Sequence, residues 1–351
     1  MSIILFLVIL LILITVHELG HFMFAKLFNV YVTEFALGFG PKIFSKKGKE
    51  TEFSIRILPL GGYAAMVGEE GEIDEKYANI PFERTVKGVN RFKQFWIMFG
   101  GSLMNIILGL LLFVGLAFST DNINPKPIIG EVIANSPAQK AGLKKNDYVK
   151  SIVLDGKVDK INSYTELQLF SMKNKEGKSY QMNVIRDNKN ITLNITPYFD
   201  KETNRYIAGF QPSILYADHN IFYAFKNGID LSIGVCKDVF LSLQMLLTGQ
   251  AKLDDVSGPV GMVSLTSQIS QSSGFVGLVK FTGLLSINLA IFNLLPIPAL
   301  DGGRILIILI ESIFRRRLNP KVESAIIGGS FILLFGLIII VTFNDITKLF
   351  R

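Results

Sequence analysis

The sequence predicts a polytopic α-helical membrane protein that carries a folded α+β module between its membrane segments. Four apolar segments are each long enough, at about 20 residues, to cross a bilayer as a helix. Of the 351 residues, 49% are hydrophobic and 19% are charged, and the mean hydropathy is +0.40. This balance suits neither an ordinary soluble enzyme nor a chain that lies wholly in a membrane, and it indicates a mixture of both.

The four predicted spans are distributed over both ends of the chain. They are Ile3–Phe24, Phe95–Phe118, Val276–Leu295 and Ser324–Phe343. The first span has no basic region before it and no small-x-small cleavage site after it, so we expect it to be retained rather than removed as a signal peptide.

The distribution of Lys and Arg predicts the orientation of these spans. Eleven basic residues lie from Lys26 to Lys93 and five lie from Arg304 to Lys321, whereas residues 1–16 have none. Loops rich in Lys and Arg stay in the cytoplasm. Both loops are therefore predicted to be cytoplasmic, and both termini and the long segment 119–222 extracytoplasmic. The net charge of +7 then suits an anionic membrane surface, and no nucleic-acid partner is expected.

The loop between the first two spans contains two alternating segments. Residues 34–39 place Phe35, Leu37 and Phe39 on one face, and residues 52–57 alternate in the same way. Gly and Pro residues border both segments, so a β-hairpin is predicted. Its edge could accept an extended peptide as an added strand; a purely structural hairpin is the alternative.

The central region is predicted to fold as a module of short strands and helices. Ser163 is a suitable N-cap for a helix over 163–171, with Glu166 at the third helical position. The domains are then a first membrane half (1–118), the module (119–200), an amphipathic linker region (201–275) and a second membrane half (276–351). Within the linker region, Phe222–Leu247 has one apolar face and is predicted to lie in the membrane interface, with a fifth span as the alternative.

The strongest chemical signal is His17-Glu18-Leu19-Gly20-His21 at the end of the first span. Two His at positions i and i+4 share one face of a helix, so both imidazoles can reach one metal ion. Glu18 can then act as a general base. Such a short pattern occurs by chance in soluble helices. Within a membrane segment, however, each ionisable group costs about 2.5–3.5 kcal/mol, which favours a functional site.

A catalytic zinc ion needs a third protein ligand, which the end of the third span could supply. Between Asn293 and Gly303, two prolines and two glycines interrupt the helix and present Asp301 at its mouth. The alternatives are that Asp301 only caps a helix starting at Arg304, or that Glu311 is the ligand. The single cysteine, Cys236, excludes an intramolecular disulfide and a Cys-rich metal site.

With these motifs the chain resembles the site-2 protease family of intramembrane zinc metalloproteases, and specifically its bacterial members with an inserted PDZ domain. The resemblance covers nearly the whole chain in order. The matching membrane residues are His17 to His21, Gly38 to Pro41, Pro59 to Tyr63, Gly100 to Asn105 and Asn293 to Gly303. The matching PDZ residues are Ser136 to Ala138, Ala141 to Leu143, Asp147 and Asp155-Gly156.

The resemblance implies both a fold and a site. The fold is a polytopic α-helical membrane protein with about four transmembrane helices, a membrane-associated β-hairpin and an inserted α+β PDZ domain. The implied zinc ligands are His17, His21 and Asp301, and Glu18 is the implied catalytic acid and base. Substrate-binding roles are implied for Asn293 and Asn288, and the PDZ groove is expected at Ile128, Ile129 and Gly130 beside the helix from Ser163.

The implied activity is hydrolysis of peptide bonds within or near the transmembrane segments of single-span proteins in the plasma membrane. Regulated intramembrane proteolysis of this kind follows a first cut by a site-1-type protease, and its substrates include anti-sigma factors and signal-peptide remnants. The active site is expected near the cytoplasmic side. A single PDZ domain departs from the best-known Gram-negative relatives, which carry two, and suits a Gram-positive enzyme.

Two other functions remain open at this stage. A non-catalytic PDZ scaffold or adaptor would need no base beside its metal ligands, so Glu18 argues against it. A metal transporter would need more intramembrane ligands than this chain supplies.

Overall fold

The computed structural model describes residues 2–69, 75–119, 122–123, 126–174, 176–200, 205–215, 220–249 and 257–349. Within them the chain divides into two compact units. One unit joins residues 1–112 to residues 241–351, and the other spans residues 113–240. The candidate site lies in the first unit.

Four helices are long and apolar enough, by length and composition, to cross a membrane. They are α1 (Ser2–Leu27), α2 (Arg91–Ser119), α6 (Pro259–Asn293) and α8 (Pro320–Leu349). They confirm the four predicted spans; α1, α2 and α8 extend beyond both predicted limits, and α6 begins earlier than predicted but ends at Asn293, two residues before the predicted end. In the first unit, buried Ile9 and Leu13 of α1 pack with Phe281 of α6 and with Leu108 of α2.

The third span begins earlier than predicted. Helix α6 starts at Pro259, and a non-helical glycine, Gly274, with φ 55° and ψ −144°, separates its two halves. Proline at the first helical position loses no hydrogen bond, and the backbone N–H of Gly261 donates to the buried carboxylate of Asp345 at 2.8 Å. Residues 259–273, predicted as linker, are therefore helical.

The loop after α1 folds into a bent sheet of two long strands, β1 (Val32–Lys47) and β2 (Glu52–Met66). The ends of both strands pair as a hairpin, with Lys47 opposite Glu52 and Ser45 opposite Ser54. The predicted segments 34–39 and 52–57 are strands, but they do not form the hairpin with each other. Glu34 lies opposite Glu52 and Leu37 opposite Ile55, so the residue numbers increase in the same direction along both segments.

The bend in β1 brings a second part of β2 against the same residues. Glu34 is also opposite Ala65, and Leu37 is also opposite Gly62. Gly38, with φ 90°, and Gly40, with φ 85°, adopt backbone conformations that favour glycine. The segment 34–37 therefore lies between two stretches of β2.

One carboxylate stabilises the bent sheet. Glu34 accepts hydrogen bonds from Ser54 at 2.5 Å, from Arg56 at 2.8 Å and from Tyr63 at 3.0 Å. Burial raises the pKa of Glu34, but the hydrogen bonds from these three residues outweigh burial, and the net pKa lies below its ordinary value. The charged form of Glu34 thus connects both stretches of β2 to β1.

The second unit contains the predicted α+β module. Its main sheet has the strand order β6 (Lys157–Lys160), β5 (Tyr148–Leu154), β7 (Tyr180–Arg186) and β8 (Lys189–Ile195). Helices α3 (Pro137–Lys140) and α4 (Tyr164–Lys173) accompany it. As predicted, the Ser163 hydroxyl accepts from the Glu166 N–H at 3.1 Å and caps α4.

The module continues beyond residue 200, its predicted end. β11 (Phe210–Pro212) pairs with β4 (Ile129–Val132), and β12 (Ile214–Leu215) pairs with β3 (Asn122–Ile123). β9 (Tyr198–Asp200) pairs with β10 (Arg205–Ile207). Strands as short as these carry almost no periodic signal, and only their partners reveal them.

The predicted amphipathic segment forms helix α5 (Ile221–Leu247), which is not one of the four candidate spans. Several large apolar side chains on it are exposed, among them Phe222 at 83% and Phe240 at 61%. Its location in the membrane interface stays a prediction.

Candidate metal centre and active site

Two histidines and one aspartate meet inside the first unit. His17 and His21 lie one turn apart on α1 and are both buried, with their Nε2 atoms 3.2 Å apart. The Oδ2 atom of Asp301 is 3.2 Å from Nε2 of His17 and 3.4 Å from Nε2 of His21. Among the described residues, this is the one cluster of His, Cys, Asp and Glu side chains with the spacing of a metal site.

Asp301 reaches this position because the chain turns sharply after α6. Helix α7 (Asp301–Phe314) begins at Asp301 itself. A Cβ atom at Gly302 would lie 2.2 Å from the carbonyl oxygen of Leu294, and one at Gly303 would lie 2.2 Å from that of Ile297. Any side chain at either glycine would push this turn apart, so the two glycines allow the tight turn that brings Asp301 to the histidines.

The contacts of Asp301 and Glu311 bear on the alternatives that the sequence leaves open. Leu300, not Asp301, is the N-cap residue of α7, and Oδ2 of Asp301 lies beside both histidines. The rival ligand Glu311 instead forms an ion pair with Arg91 and accepts from the Leu318 N–H at 2.8 Å. Glu311 is therefore occupied elsewhere, and Asp301 is the acidic group that faces the histidines.

Helices α1 and α2 cross closely at glycines, one of which leaves room for the histidines. A Cβ atom at Gly20 would lie 2.1 Å from the carbonyl oxygen of Gly100. A Cβ atom at Gly101 would lie 2.3 Å from Nε2 of His21 and 2.8 Å from Nε2 of His17. The missing side chain at Gly101 thus leaves open the space that the two Nε2 atoms face.

Glu18 lies between the cluster and the bent sheet. Its Oε2 atom accepts a hydrogen bond from the backbone N–H of Ala64 in β2 at 3.1 Å. The residue that follows His17 thus faces the strand, while His17 and His21 face Asp301. Strand β2 therefore runs beside the candidate base, a contact that the alternating sequence pattern could not reveal.

The two predicted substrate-binding asparagines differ in their positions. Asn293, at the end of α6, has its Nδ2 atom 3.4 Å from Nε2 of His17 and so belongs to the cluster's surroundings. The buried Oδ1 atom of Asn288 has no hydrogen-bond partner among the described residues. Asn105 of α2, noted in the sequence only as part of a motif, also contacts His17, at 3.4 Å.

Ile128, Ile129 and Gly130, the residues predicted to form the PDZ groove, lie at the start of β4. Ile129 is fully buried in the module core, and its N–H and carbonyl bond to Asp147 and Asn146 at 2.9 and 2.7 Å. The Ile128 carbonyl accepts from Ser213, and Gly130 packs against Pro212. Because the backbone groups of Ile128 and Ile129 already pair within the module, an added peptide would have to displace these hydrogen bonds to bind there.

A cavity of about 270 Å³ does lie along α4, but a different segment forms its other side. The residues that line it include Ile133, Gln168 and Ser171, together with Ile207–Phe210. The segment 207–210 falls beyond the predicted end of the module. The sequence did not reveal this segment, because it joins two strands of only three residues each, which are too short for a periodic signal.

The donor set of the cluster fits a zinc ion. Two imidazole nitrogens and one carboxylate oxygen are the three-ligand pattern of catalytic zinc, which leaves a fourth position open for water or substrate. Oδ2 of Asp301 is buried and has no hydrogen-bond partner among the described residues. A buried carboxylate oxygen without a partner is costly, and a bound cation would satisfy it.

The space beside Gly101 provides a first test of this geometry. Gly101→Ala is expected to weaken zinc binding at least about tenfold, the lower end of what disturbed ligand support costs, because the new methyl group would displace both imidazoles. The control is Gly115→Ala on the same helix, where a Cβ atom meets nothing within 4 Å. Zinc affinities of both variants, measured by chelator competition, check the prediction; equal affinities would contradict it.

Comparisons with known proteins identify peptidase relatives over most of the chain. The model of peptidase family M50 matches residues 5–337. A protein of Clostridium perfringens that carries a zinc metalloprotease name is 36% identical over 335 residues, which cover 95% of each chain. The regulator of sigma-W protease RasP of Bacillus subtilis is 33% identical over 410 aligned positions, again covering 95% of each chain.

A Staphylococcus aureus protein that also carries a zinc metalloprotease name is 32% identical over 436 aligned positions, which cover 99% of each chain. The family match extends over both membrane halves and the module, and the donor set of the cluster is that of a zinc enzyme. The chain therefore belongs to peptidase family M50, the site-2 protease family, and is a zinc metalloendopeptidase.

Proposed function

We propose that this protein cleaves single-span membrane proteins within or near their transmembrane segments, as a step in regulated intramembrane proteolysis. The observation that carries the proposal is the position of the cluster. His17 and His21 lie on α1, and Asp301 lies just after the end of α6; both helices are long and apolar enough to cross a membrane. The likeness to RasP, whose name describes a regulator of a sigma factor, supports anti-sigma-type substrates. Signal-peptide remnants are a second class with the same single-span form.

His17, His21 and Asp301 are the proposed zinc ligands. Zinc held there supplies Lewis acidity to the attacking water and to the carbonyl of the scissile peptide bond. The protein residues then have separate tasks. Glu18 accepts the proton of the water as it attacks and returns that proton to the leaving amine. Asn293, next to His17, donates its amide N–H to the oxygen of the carbonyl under attack.

Asn288 is proposed to bind the substrate rather than the metal. It lies five residues before Asn293 on α6, and its buried Oδ1 atom lacks a hydrogen-bond partner among the described residues. An unsatisfied buried acceptor can take a hydrogen bond from an incoming backbone N–H.

The bent sheet is the proposed platform for an unwound substrate. A helix in a membrane satisfies its own backbone hydrogen bonds, so it must unwind before a peptide bond can reach the site. Strand β2 passes beside Glu18 with the N–H of Ala64 directed at it. A substrate strand that adds to this edge would regain the lost hydrogen bonds next to the catalytic residues.

The proposed orientation places both termini and the module outside the cytoplasm and the site near the cytoplasmic side. We expect that, in a Cys236→Ser background, Lys47→Cys is protected from a membrane-impermeant thiol reagent and Lys189→Cys reacts with it. Both positions are exposed, so protection reports the membrane side rather than burial. Lys189 is preferred to Asn188, whose φ of 60° disfavours cysteine. Labelling after cell lysis is the control, and the reverse pattern would overturn the orientation.

The α+β module is proposed to be a PDZ domain that filters substrates by their extramembrane parts. Its groove is proposed to lie between α4 and residues 207–210, because the cavity there runs along α4, whereas the cavity lined by Gly130 includes no residue of α4. The pairing of β3 with β12 brings the entry and exit of the module together. Residues 122–215 can therefore be replaced by a short linker.

Removing the module is expected to relax substrate selection without removing zinc. The 122–215 deletion should still cleave a substrate with a shortened ectodomain and should discriminate less against the full-length form. Ile133→Asp, in the groove, should have a similar effect, whereas Val158→Asp, at an apolar position on β6 that is also exposed, should not. Cleavage of both substrate forms by each variant measures the selectivity. Unchanged selectivity, or loss of zinc together with activity, would reject the filter.

The proposed function itself is tested by mapping cleavage sites. The purified protein, reconstituted in vesicles, should cut a model single-span protein at bonds within or beside its span, and a zinc chelator should stop the reaction until zinc is restored. Cleavage confined to soluble segments far from the span would reject an intramembrane role and leave the metallopeptidase assignment intact. Membrane proteomics that compares wild-type cells with Glu18→Gln cells would then identify natural substrates as accumulated single-span fragments.

A further inference from the structure

We infer that Asn105 is a positioning residue that holds the proton on Nδ1 of His17 and so presents the other ring nitrogen, Nε2, to the metal. The inference rests on the proposed role of His17 as a zinc ligand. It assigns to the chain a supporting residue for the site, on a helix that contributes none of the three proposed ligands.

The geometry separates the two ring nitrogens of His17. Its Nε2 atom faces His21 and Asp301, at 3.2 Å from each. Its Nδ1 atom faces the opposite way, towards the side-chain amide of Asn105, at 3.4 Å. Asn105 is fully buried, so solvent does not replace this contact.

A histidine that binds metal through Nε2 must carry its remaining proton on Nδ1, and that N–H needs an acceptor. For His21 the acceptor is a backbone group, the carbonyl oxygen of Ile97, at 2.8 Å from Nδ1. For His17, Asn105 is the hydrogen-bond partner of Nδ1 among the described residues. The two ligands are therefore supported differently, one by the backbone and one by a replaceable side chain.

The state of the Asn105 amide agrees with this role. As placed, its nitrogen faces His17, and its buried oxygen Oδ1 has no hydrogen-bond partner among the described residues. The two ends of an amide have nearly the same shape, and their assignment follows from the hydrogen bonds they make. A half-turn of the amide directs Oδ1 at Nδ1 of His17, where it accepts the proton that a zinc-binding ring carries.

The backbone around Asn105 is held from the other side. The Ser286 hydroxyl of α6 donates to the carbonyl oxygen of Asn105 at 2.7 Å, and both residues are fully buried. Gly101 lies one turn earlier on α2 and leaves space for both imidazoles. One face of α2 thus makes room for the ligands at Gly101 and orients one of them at Asn105.

The test uses three variants of the full-length protein in detergent. Asn105→Leu keeps the number and branching of the side-chain heavy atoms and removes the acceptor. Asn105→Asp keeps an acceptor and recreates the carboxylate–histidine support found at many zinc sites. Ser102→Ala is the matched control: it removes a hydroxyl that is also buried on α2 and that has no hydrogen-bond partner among the described residues.

Zinc affinity, measured by chelator competition, is the first readout. Asn105→Leu should bind zinc about 10- to 100-fold more weakly than wild type, the usual cost of losing such support. Asn105→Asp and Ser102→Ala should stay within a few-fold of wild type. The second readout is the visible spectrum of the cobalt-loaded protein, which reports ligand geometry and should change only in Asn105→Leu.

Each outcome decides the inference. Wild-type affinity and spectrum in Asn105→Leu would overturn it, and so would an equal loss in Asn105→Asp and Asn105→Leu, because a purely structural role does not distinguish them. If Asn105→Leu does not fold, weak zinc binding by a folded Asn105→Asp still overturns it. A failure of the proposed function is distinct: wild-type protein without zinc, or His17→Ala with wild-type zinc affinity, would reject the ligand assignment itself.

Discussion

Glu18→Gln is expected to lose at least about 10²- to 10⁴-fold in turnover, the usual contribution of a general base, while it keeps one zinc per chain. Glutamine has nearly the same shape as glutamate and retains an oxygen that can accept from the Ala64 N–H, where Glu18 now accepts at 3.1 Å. The contact between α1 and β2 should survive. What is removed is the carboxylate that takes the proton from water.

The measurement is single-turnover cleavage of a model span, with zinc content determined on the same preparation. Glu50→Gln is the matched control, because Glu50 forms ion pairs with Lys26 and Arg84 and does not belong to the metal cluster. That variant should cleave at close to the wild-type rate. Substantial turnover by Glu18→Gln would mean that another group acts as the base.

The double variant His17→Ala/His21→Ala is expected to lose zinc and activity together. Only Asp301 of the cluster would remain, and one carboxylate cannot replace a three-ligand site. Metal analysis of the purified protein should fall from about one zinc per chain, the content of a mononuclear catalytic site, to near zero. The fold should largely survive, because the two imidazoles contribute little to the apolar packing between α1 and α6.

The control for this experiment is His219→Ala. His219 is the third histidine of the chain and lies outside the described residues. It should leave zinc content unchanged, which separates loss of a ligand from loss of any histidine. Full zinc retention by the double variant would reject the proposed ligands, and the metal would then have to be sought elsewhere in the chain.

The membrane helices could be predicted from the sequence because the bilayer imposes a local requirement. A span needs about 20 consecutive apolar residues, and that run can be counted without knowledge of the rest of the fold. The ends of the helices are less local. Helix α2 begins at Arg91 and α6 at Pro259, outside the apolar runs, because helix geometry continues beyond the lipid wherever capping and packing permit.

Part of the candidate site could be predicted because it also depends only on residues close together in the chain. His17 and His21 meet because one helical turn separates them, and helix geometry alone decides this. Asp301 is remote in the chain, and composition alone left Glu311 and a capping role open. The ion pair between Glu311 and Arg91, and the position of Asp301 beside both histidines rather than at the N-cap of α7, argue against those alternatives. Both depend on contacts between distant segments.

Strand pairing shows most clearly what the sequence could not predict. Alternation identified the segments 34–39 and 52–57 as strands, because side chains alternate along any strand. It could not state that the segment 34–37 pairs on both sides with β2, or that β11 pairs with β4. For the same reason the groove was predicted at Ile128 to Gly130, although the backbone groups of Ile128 and Ile129 pair within the module.

The sequence by itself determined the features that depend on neighbouring residues: the apolar runs of the spans, the His pair on one helical face, the cap of α4 and the family motifs. The tertiary structure alone decided which strands pair, that Ala64 faces Glu18 and that Asn105 faces His17. The physical reason is the range of the interactions. Helix periodicity and hydropathy act over a few residues, whereas the contacts at this site join residues as far apart in the chain as His17 and Asp301.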